Sequence, residues 1–314
     1  MRGIYYNSKH ALCSIWESGK MCYDVLKNSD RYILDYTEDN IFNYSYDFAI
    51  VNEHMTVNNW ITAEMKNKFN KPIFCIVTEV TTSAKTPIGR SPPFYTAYLV
   101  LDPSISDENN IYGFARPLEN ITLFSVLELP AWNTSPIPII GSFGFATLGK
   151  DWLKIIEQVQ HEFDEAIIRF NIPQGTYVPN DMHYGYVNQI KTEAVKLITK
   201  PNISLSITSF NYTKEEIIEW CSKNTINIFF YFRHQYGFSG LSAVTDQAIV
   251  SERPLLVTND PTFRHIHKYI KCYPEINIKQ AINETSDGVK KMKNDWTTEN
   301  FLKKFEYVLS KYMN

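Results

Sequence analysis

Between residues 237 and 248 the chain reads Gly237-Phe238-Ser239-Gly240-Leu241-Ser242-Ala243-Val244-Thr245-Asp246-Gln247-Ala248. Glycines and small hydroxyl residues at the start of a helix let a ligand approach the backbone. There the unpaired amide N–H groups and the helix dipole stabilise an anion such as a diphosphate. The same letters suit a helix that needs only a Ser or Gly cap, so an anion cradle and a plain cap both remain open. Further on, Thr258-Asn259-Asp260-Pro261-Thr262-Phe263-Arg264-His265 either closes over the same rim or simply turns, since Asn and Asp before Pro are turn formers. Ser209 and Phe210 follow a predicted strand, where a base can rest against the Phe210 ring or the ring can join the core.

Other chemistries find little support. His265-Ile266-His267 offers two ligands at alternate spacing with no acidic or Cys partner beside them, so no metal site is predicted. The five cysteines are odd in number and never form Cys-x-x-Cys, which argues against a disulfide framework and a zinc ribbon and fits a reducing cytoplasm. No Gly-x-Ser-x-Gly elbow and no Gly-x-Gly-x-x-Gly fingerprint occurs, which counts against a hydrolase and a dehydrogenase. The net charge of -3 gives no global basic field, so nucleic acid is disfavoured as a partner. No apolar run approaches the roughly 18 residues that span a bilayer, and no transmembrane segment is expected.

The elements that must position these residues come from apolar runs and their spacing. With 314 residues, 44% of them apolar and 21% charged, the chain has the length of two ordinary domains and the composition of a folded one. In the first half, strands are predicted at 3–6, 32–34, 48–51, 73–77 and 95–101, with helices running to about residue 27 and over 58–69. Three prolines between Pro130 and Pro138 mark a linker. Beyond it, strands at 137–141, 166–170, 203–208, 226–232 and 255–258 alternate with helices at 150–163, 187–198, 214–222 and 241–251. Such alternation predicts an α/β chain with a doubly wound parallel sheet. A last amphipathic helix is predicted over 297–313, with Phe301, Phe305, Val308, Leu309 and Tyr312 at helical spacing.

The run from Gly240-Leu241 to Gln247-Ala248, followed by Pro254 and an apolar strand, resembles the donor-binding segment of GT-B glycosyltransferases of the group 1, family 4-like kind. Upstream, Ile139-Ile140-Gly141-Ser142-Phe143-Gly144 and then Gly149-Lys150-Asp151 resemble the opening strand, loop and helix of the same domain. The resemblance implies a GT-B fold of two Rossmann-like domains facing a cleft. It divides the chain into an acceptor domain at 1–132, a nucleotide-sugar donor domain at 133–296, and a helix at 297–314 that packs back toward the first domain. It implies sugar transfer from a nucleotide-diphosphate sugar, as co-substrate and without a further cofactor, to the hydroxyl of a sugar, glycan or other acceptor. Lys150 is then the phosphate cation, with donor contacts from Gly141, Ser142, Phe143, Gly144, Ser209, Phe210, Ser239, Gly240, Leu241 and Ser242. Where the family's retaining branch carries an Arg after the loop glycine and a Glu before the Ala, this chain has Phe145 and Gln247. Either Asp246 or Gln247 meets the ribose, and Arg169 or Arg233 joins Lys150 on the diphosphate. On the acceptor side Glu17 and His54 are the candidate general bases. The absence of Asp-x-Asp, which holds a metal on the nucleotide sugar in the other major transferase architecture, points to a metal-independent reaction.

Phe145 and Gln247 also admit a catalytically inactive nucleotide-sugar binder of the same fold. A DNA-modifying sugar transferase shares the two-domain plan, and a nucleotide-sugar epimerase of similar architecture needs no acceptor.

Overall fold

The computed structural model describes residues 1–7, 14–39, 41–52, 61–78, 94–109, 116–122, 135–175, 179–236 and 241–313. The chain divides into two compact units, one built mainly on Met1–Leu123 with Trp296–Asn314, the other mainly on Phe124–Phe238 with Ser242–Asp295.

The first unit holds a parallel sheet in the order β2-β1-β3-β4-β5-β6. Its strands are β1 Arg2–Tyr6, β2 Ile33–Thr37, β3 Phe48–Asn52, β4 Ile73–Val77, β5 Ala97–Val100 and β6 Leu118–Asn120. The sequences of β3, β4 and β5 are nearly continuous apolar runs and are buried throughout, as strands covered on both faces must be. One face packs Ile4, Tyr6, Val51, Cys75 and Val77 against Phe69 of α2 (Ala63–Phe69). The other packs Tyr5, Phe48, Ile50, Phe74 and Ile76 against Cys22 and Leu26 of α1 (Ser14–Leu26).

The second unit holds β7 Ile139–Phe143, β8 Ala166–Asn171, β9 Ile203–Thr208, β10 Ile226–Phe229 and β11 Leu255–Val257, all parallel, in the order β11-β10-β7-β8-β9. Among its helices are α3 Trp152–Glu162, α4 Asn180–Leu197, α5 Lys214–Ser222, α6 Val244–Val250, α7 Ile278–Glu284 and α8 Ser286–Asp295. Trp152, Ile155, Ile156 and Val159 of α3 and Val187, Ile190 and Ala194 of α4 close over Ile140, Ile168, Phe170 and Ile228 of the sheet. Burying each such side chain is worth about 1.5–3 kcal/mol.

The terminal helix, α9 Thr298–Met313, belongs to the first unit. Its Phe301, Phe305, Val308 and Leu309 join the core made by Tyr5, Phe48 and Phe74, and the Phe305 ring lies 5.8 Å from that of Tyr32 and 6.1 Å from that of Phe74. Lys311 and Tyr312 both reach Glu119, at 2.6 and 2.9 Å.

Several elements differ in extent from the sequence expectation. The strand expected over 226–232 stops at Phe229, because Tyr231 instead forms an antiparallel bridge with Lys150 and the chain then turns through a 3-10 segment, Arg233–Tyr236. The helix expected from Leu241 begins at Val244, and the helix expected from Val187 begins at Asn180.

Candidate functional site

In a doubly wound sheet the crevice for a ligand opens at the carboxyl ends of the strands, where the strand order reverses. In the second unit that point lies between β7 and β10. β7 ends at Phe143 and passes into Gly144, whose φ of 129° favours glycine, and Gly149 a turn later has φ 81°. The loop is tied back to the strand beside it. Gly149 O accepts from Phe232 N at 2.6 Å, Asp151 N donates to Phe230 O at 2.8 Å, and the Tyr186 hydroxyl donates to Lys150 O at 3.2 Å. Asp151 then caps α3 by accepting from Lys154 N at 2.9 Å. A side chain on Gly149 would meet the Arg233 Cα at 2.8 Å, so the close approach of the two segments requires glycine there.

This bracing aims the Lys150 ammonium back over Gly144. A Cβ at Gly144 would stand 2.6 Å from Lys150 Nζ, 3.0 Å from Val244 Cγ1 and 3.6 Å from the Tyr231 hydroxyl. Lys150 Nζ also lies 5.0 Å from the Tyr231 ring centroid. No carboxylate pairs with Lys150 among the described residues. Burial, and secondarily the Arg233 guanidinium, push its ammonium down to about 7. A buried ammonium over a glycine at the switch point, with the Arg233 guanidinium close enough to act on it, makes this the candidate anion site. Among the residues expected from sequence, the structure brings Gly144, Lys150 and Arg233 to one place.

Next to it, α6 carries Asp246 and Gln247. Burial holds the Asp246 carboxyl well above its ordinary range against the opposing pull of Lys214 and Thr245. The Gln247 Oε1 is buried without a hydrogen-bond donor. Leu241 is half-buried, and Ser242 is buried with its amide donating to Thr262 O at 3.2 Å. The Ser242 amide is therefore committed within the protein, which takes it out of the expected row of unpaired N–H groups.

Other expected residues lie elsewhere. Gly141, Ser142 and Phe143 are buried inside β7, with Phe143 edge-on to Phe229 and Trp220. Gly141 is needed because a Cβ there would sit 1.9 Å from Asn224 Nδ2. Arg169 stands within β8, donates to Asn224 Oδ1 at 3.0 Å and covers the Trp220 ring at 4.7 Å, so its guanidinium is held on the α5 side of the sheet. Ser209 is exposed beyond β9. Phe210, 59% exposed, lies with its ring 5.7 Å from that of Tyr212. Asn171 grips the Phe210 backbone at both N and O, each at 3.0 Å. Ser239 and Gly240 lie outside the described residues, as does His54. Glu17 is exposed in the first turn of α1. Among the described residues no three His, Cys, Asp or Glu side chains group to hold a metal.

Two polar groupings were not singled out as site residues from sequence. At the switch point of the first sheet, between β1 and β3, Asn52 Nδ2 donates to Asn7 Oδ1 at 2.9 Å and to Ile15 O at 3.0 Å, while its Oδ1 is buried without a donor. In the second unit, His234 Nδ1 lies 2.8 Å from Asp260 Oδ2. The signal available in sequence was position alone: each of these residues stands at or just beyond the carboxyl end of a strand.

No family profile matches the sequence, and no curated protein matches it. Solved structures do match in fold. Anabaena HepE in complex with UDP superposes with a TM-score of 0.67 at 9% identity, covering 99% of this chain and 100% of that one. The lipopolysaccharide outer core galactosyltransferase WaaB gives 0.63 at 11% identity, covering 99% and 100%. A UDP-forming α,α-trehalose-phosphate synthase from Burkholderia xenovorans, in complex with glucose-6-phosphate, gives 0.61 at 8% identity over 100% of both chains. Two parallel Rossmann-like sheets, each with its own switch point, and end-to-end superposition on these enzymes give this chain the GT-B glycosyltransferase fold.

Proposed function

We propose that the protein is a metal-independent glycosyltransferase that moves a sugar from a nucleotide-diphosphate sugar to an acceptor hydroxyl. The single observation that carries this reading is the Lys150 ammonium, poised over Gly144 beside Arg233 at the switch point of the second sheet. In the reaction the acceptor oxygen bonds to the anomeric carbon while the bond from that carbon to the diphosphate oxygen breaks. The electron pair leaves on the diphosphate. Lys150 and Arg233 offset the developing charge, and as the new bond forms the hydroxyl proton passes to a base, Glu17 or His54, or to the departing diphosphate. Asp246 or Gln247 meets the ribose, and Phe210 offers a face to the base. The first unit takes the acceptor.

The relatives in fold support the donor class, because HepE is bound to UDP and the trehalose-phosphate synthase is UDP-forming. The four described cysteines are buried free thiols, which supports work in a reducing compartment such as the cytoplasm. No described helix is long and apolar enough to cross a membrane.

The test is a thermal-shift screen of the purified protein against UDP, ADP, GDP, their common sugar conjugates and NAD, repeated with Lys150→Ala. Stabilisation by one nucleotide sugar, lost in the variant, is the expected result. Full donor affinity in Lys150→Ala overturns the phosphate assignment. Donor binding with no turnover on any acceptor favours an inactive nucleotide-sugar binder instead.

A further inference from the structure

Asp260 is 1% exposed, and its carboxylate is saturated with hydrogen bonds. Oδ1 accepts from Thr262 N at 2.9 Å and from Thr262 Oγ1 at 2.7 Å. Oδ2 accepts from His234 N at 3.3 Å and faces His234 Nδ1 at 2.8 Å. Although burial opposes ionisation, the bonds from His234 and Thr262 outweigh it and hold the carboxyl below its ordinary range. An ionised carboxylate only accepts, so the hydrogen between the two side chains sits on His234 Nδ1. In the neutral ring Nε2 is then the lone-pair atom. The side chain is 47% exposed, and no described residue engages Nε2.

A buried carboxylate that fixes a half-exposed imidazole in one tautomer is the arrangement by which proteins present a single ring nitrogen to a ligand. The dyad stands just beyond the carboxyl ends of β10 and β11, on the turn whose first residue, Arg233, lies against the Gly149–Lys150 segment. A lone pair does not suit a phosphate oxygen, which is itself an acceptor. It suits a hydroxyl.

We infer that His234, held by Asp260, accepts a hydrogen bond through Nε2 from a hydroxyl of the donor's sugar, so that this pair reads the sugar while Lys150 and Arg233 hold the diphosphate. His234 is the contacting residue and Asp260 the positioning one. The inference rests on the donor reading proposed above. It adds a residue that distinguishes a nucleotide sugar from its bare nucleotide.

The experiment is calorimetric binding of UDP-glucose and of UDP to the unaltered protein and to His234→Ala, His234→Gln and Asp260→Asn. It is accompanied by nitrogen-15 spectra of the imidazole. Loss of one neutral hydrogen bond predicts a roughly three- to tenfold weaker UDP-glucose complex for His234→Ala, with UDP unchanged. His234→Gln, whose amide reaches the Nε2 position, recovers part of the loss. Asp260→Asn presents a donor to Nδ1, moves the ring hydrogen to Nε2 in the spectra, and weakens UDP-glucose while sparing UDP. Equal weakening of both ligands, or none in any variant, overturns the inference and leaves the donor reading standing. Failure of the unaltered protein to bind UDP-glucose, UDP and every nucleotide sugar of the thermal-shift screen removes the donor reading and this inference with it.

Discussion

Gly144 and Lys150 are coupled through space: the position a Cβ would take on Gly144 is 2.6 Å from the Lys150 ammonium nitrogen. Gly144→Ala therefore has two effects. The φ of 129° strains an L-residue by about 1–3 kcal/mol, and the methyl displaces Nζ from the switch point. The expected outcome is a lower melting temperature and at least a tenfold weaker complex with the nucleotide that stabilises the unaltered protein. Gly185→Ala is the control. It lies within α4 with nothing inside 4 Å of its would-be Cβ, so it gains about 0.5–1 kcal/mol of stability with binding unchanged.

Lys150 makes both stability and binding depend on pH, with opposite signs. Its ammonium is pushed from 10.5 down to about 7 by burial and Arg233. Between those values the unfolded chain holds a proton that the folded chain has released, so ligand-free stability rises with pH across that window. Urea unfolding at pH 7 and pH 9 should show this gain, on the order of 1–3 kcal/mol, in the unaltered protein and not in Lys150→Met. A bound diphosphate favours the charged form. Above pH 7 binding should take up as much as one proton and weaken by up to tenfold per pH unit, which calorimetry in two buffers of different ionisation enthalpy measures directly.

In the first unit, Gly19→Ala tests the Asn7–Asn52 clamp. Alanine in a helix ordinarily stabilises by about 1 kcal/mol relative to glycine. Here a Cβ would sit 2.2 Å from Asn52 Nδ2 and 2.7 Å from Asn7 Oδ1, both buried. Crowding outweighs propensity, and a net loss of about 1–3 kcal/mol is expected in chemical denaturation. A gain in stability would show that the two asparagines yield easily.

Arg169→Ala separates support of the fold from contact with the anion. The guanidinium covers Trp220 and bonds Asn224, which in turn donates to Asn227 Oδ1 at 2.8 Å. Its removal should cost about 1–3 kcal/mol of stability and leave nucleotide affinity unchanged at a temperature where the variant is folded. A drop in affinity there would place Arg169 on the ligand.

The two Rossmann-like units were legible because parallel strands buried on both faces write themselves as apolar runs, as in Phe48–Asn52 and Ile73–Val77. The start of α4 was not. Its first turns carry Asn180, Asp181 and Met182, the last 64% exposed, and Pro179 ahead of them gives no side-chain cap, so no apolar period marks the entry. The α8 helix was missed for a related reason: only Val289 and Met292 in Ser286–Asp295 are buried, amid three lysines and two aspartates. At the site, Gly144 and Gly149 announced backbone that other residues avoid. The direction of the Arg169 side chain was invisible, because neighbouring residues of a strand face opposite ways and sequence does not say which helix lies on which face. The His234–Asp260 pairing spans 26 residues and exists only because β10 and β11 lie side by side.

The return of α9 to the first unit inverts the usual order of maturation on the ribosome. As the chain emerges, β1 to β6 come first, yet the pocket among Tyr5, Phe48 and Phe74 stays unfilled until Phe301, Phe305, Val308 and Leu309 have been made. The second unit draws its core from residues 140 to 281 and is complete before then. The half synthesised first is thus the half finished last. A nascent chain arrested before residue 301 would carry a closed second unit beside a first unit whose apolar face still lies open to chaperones.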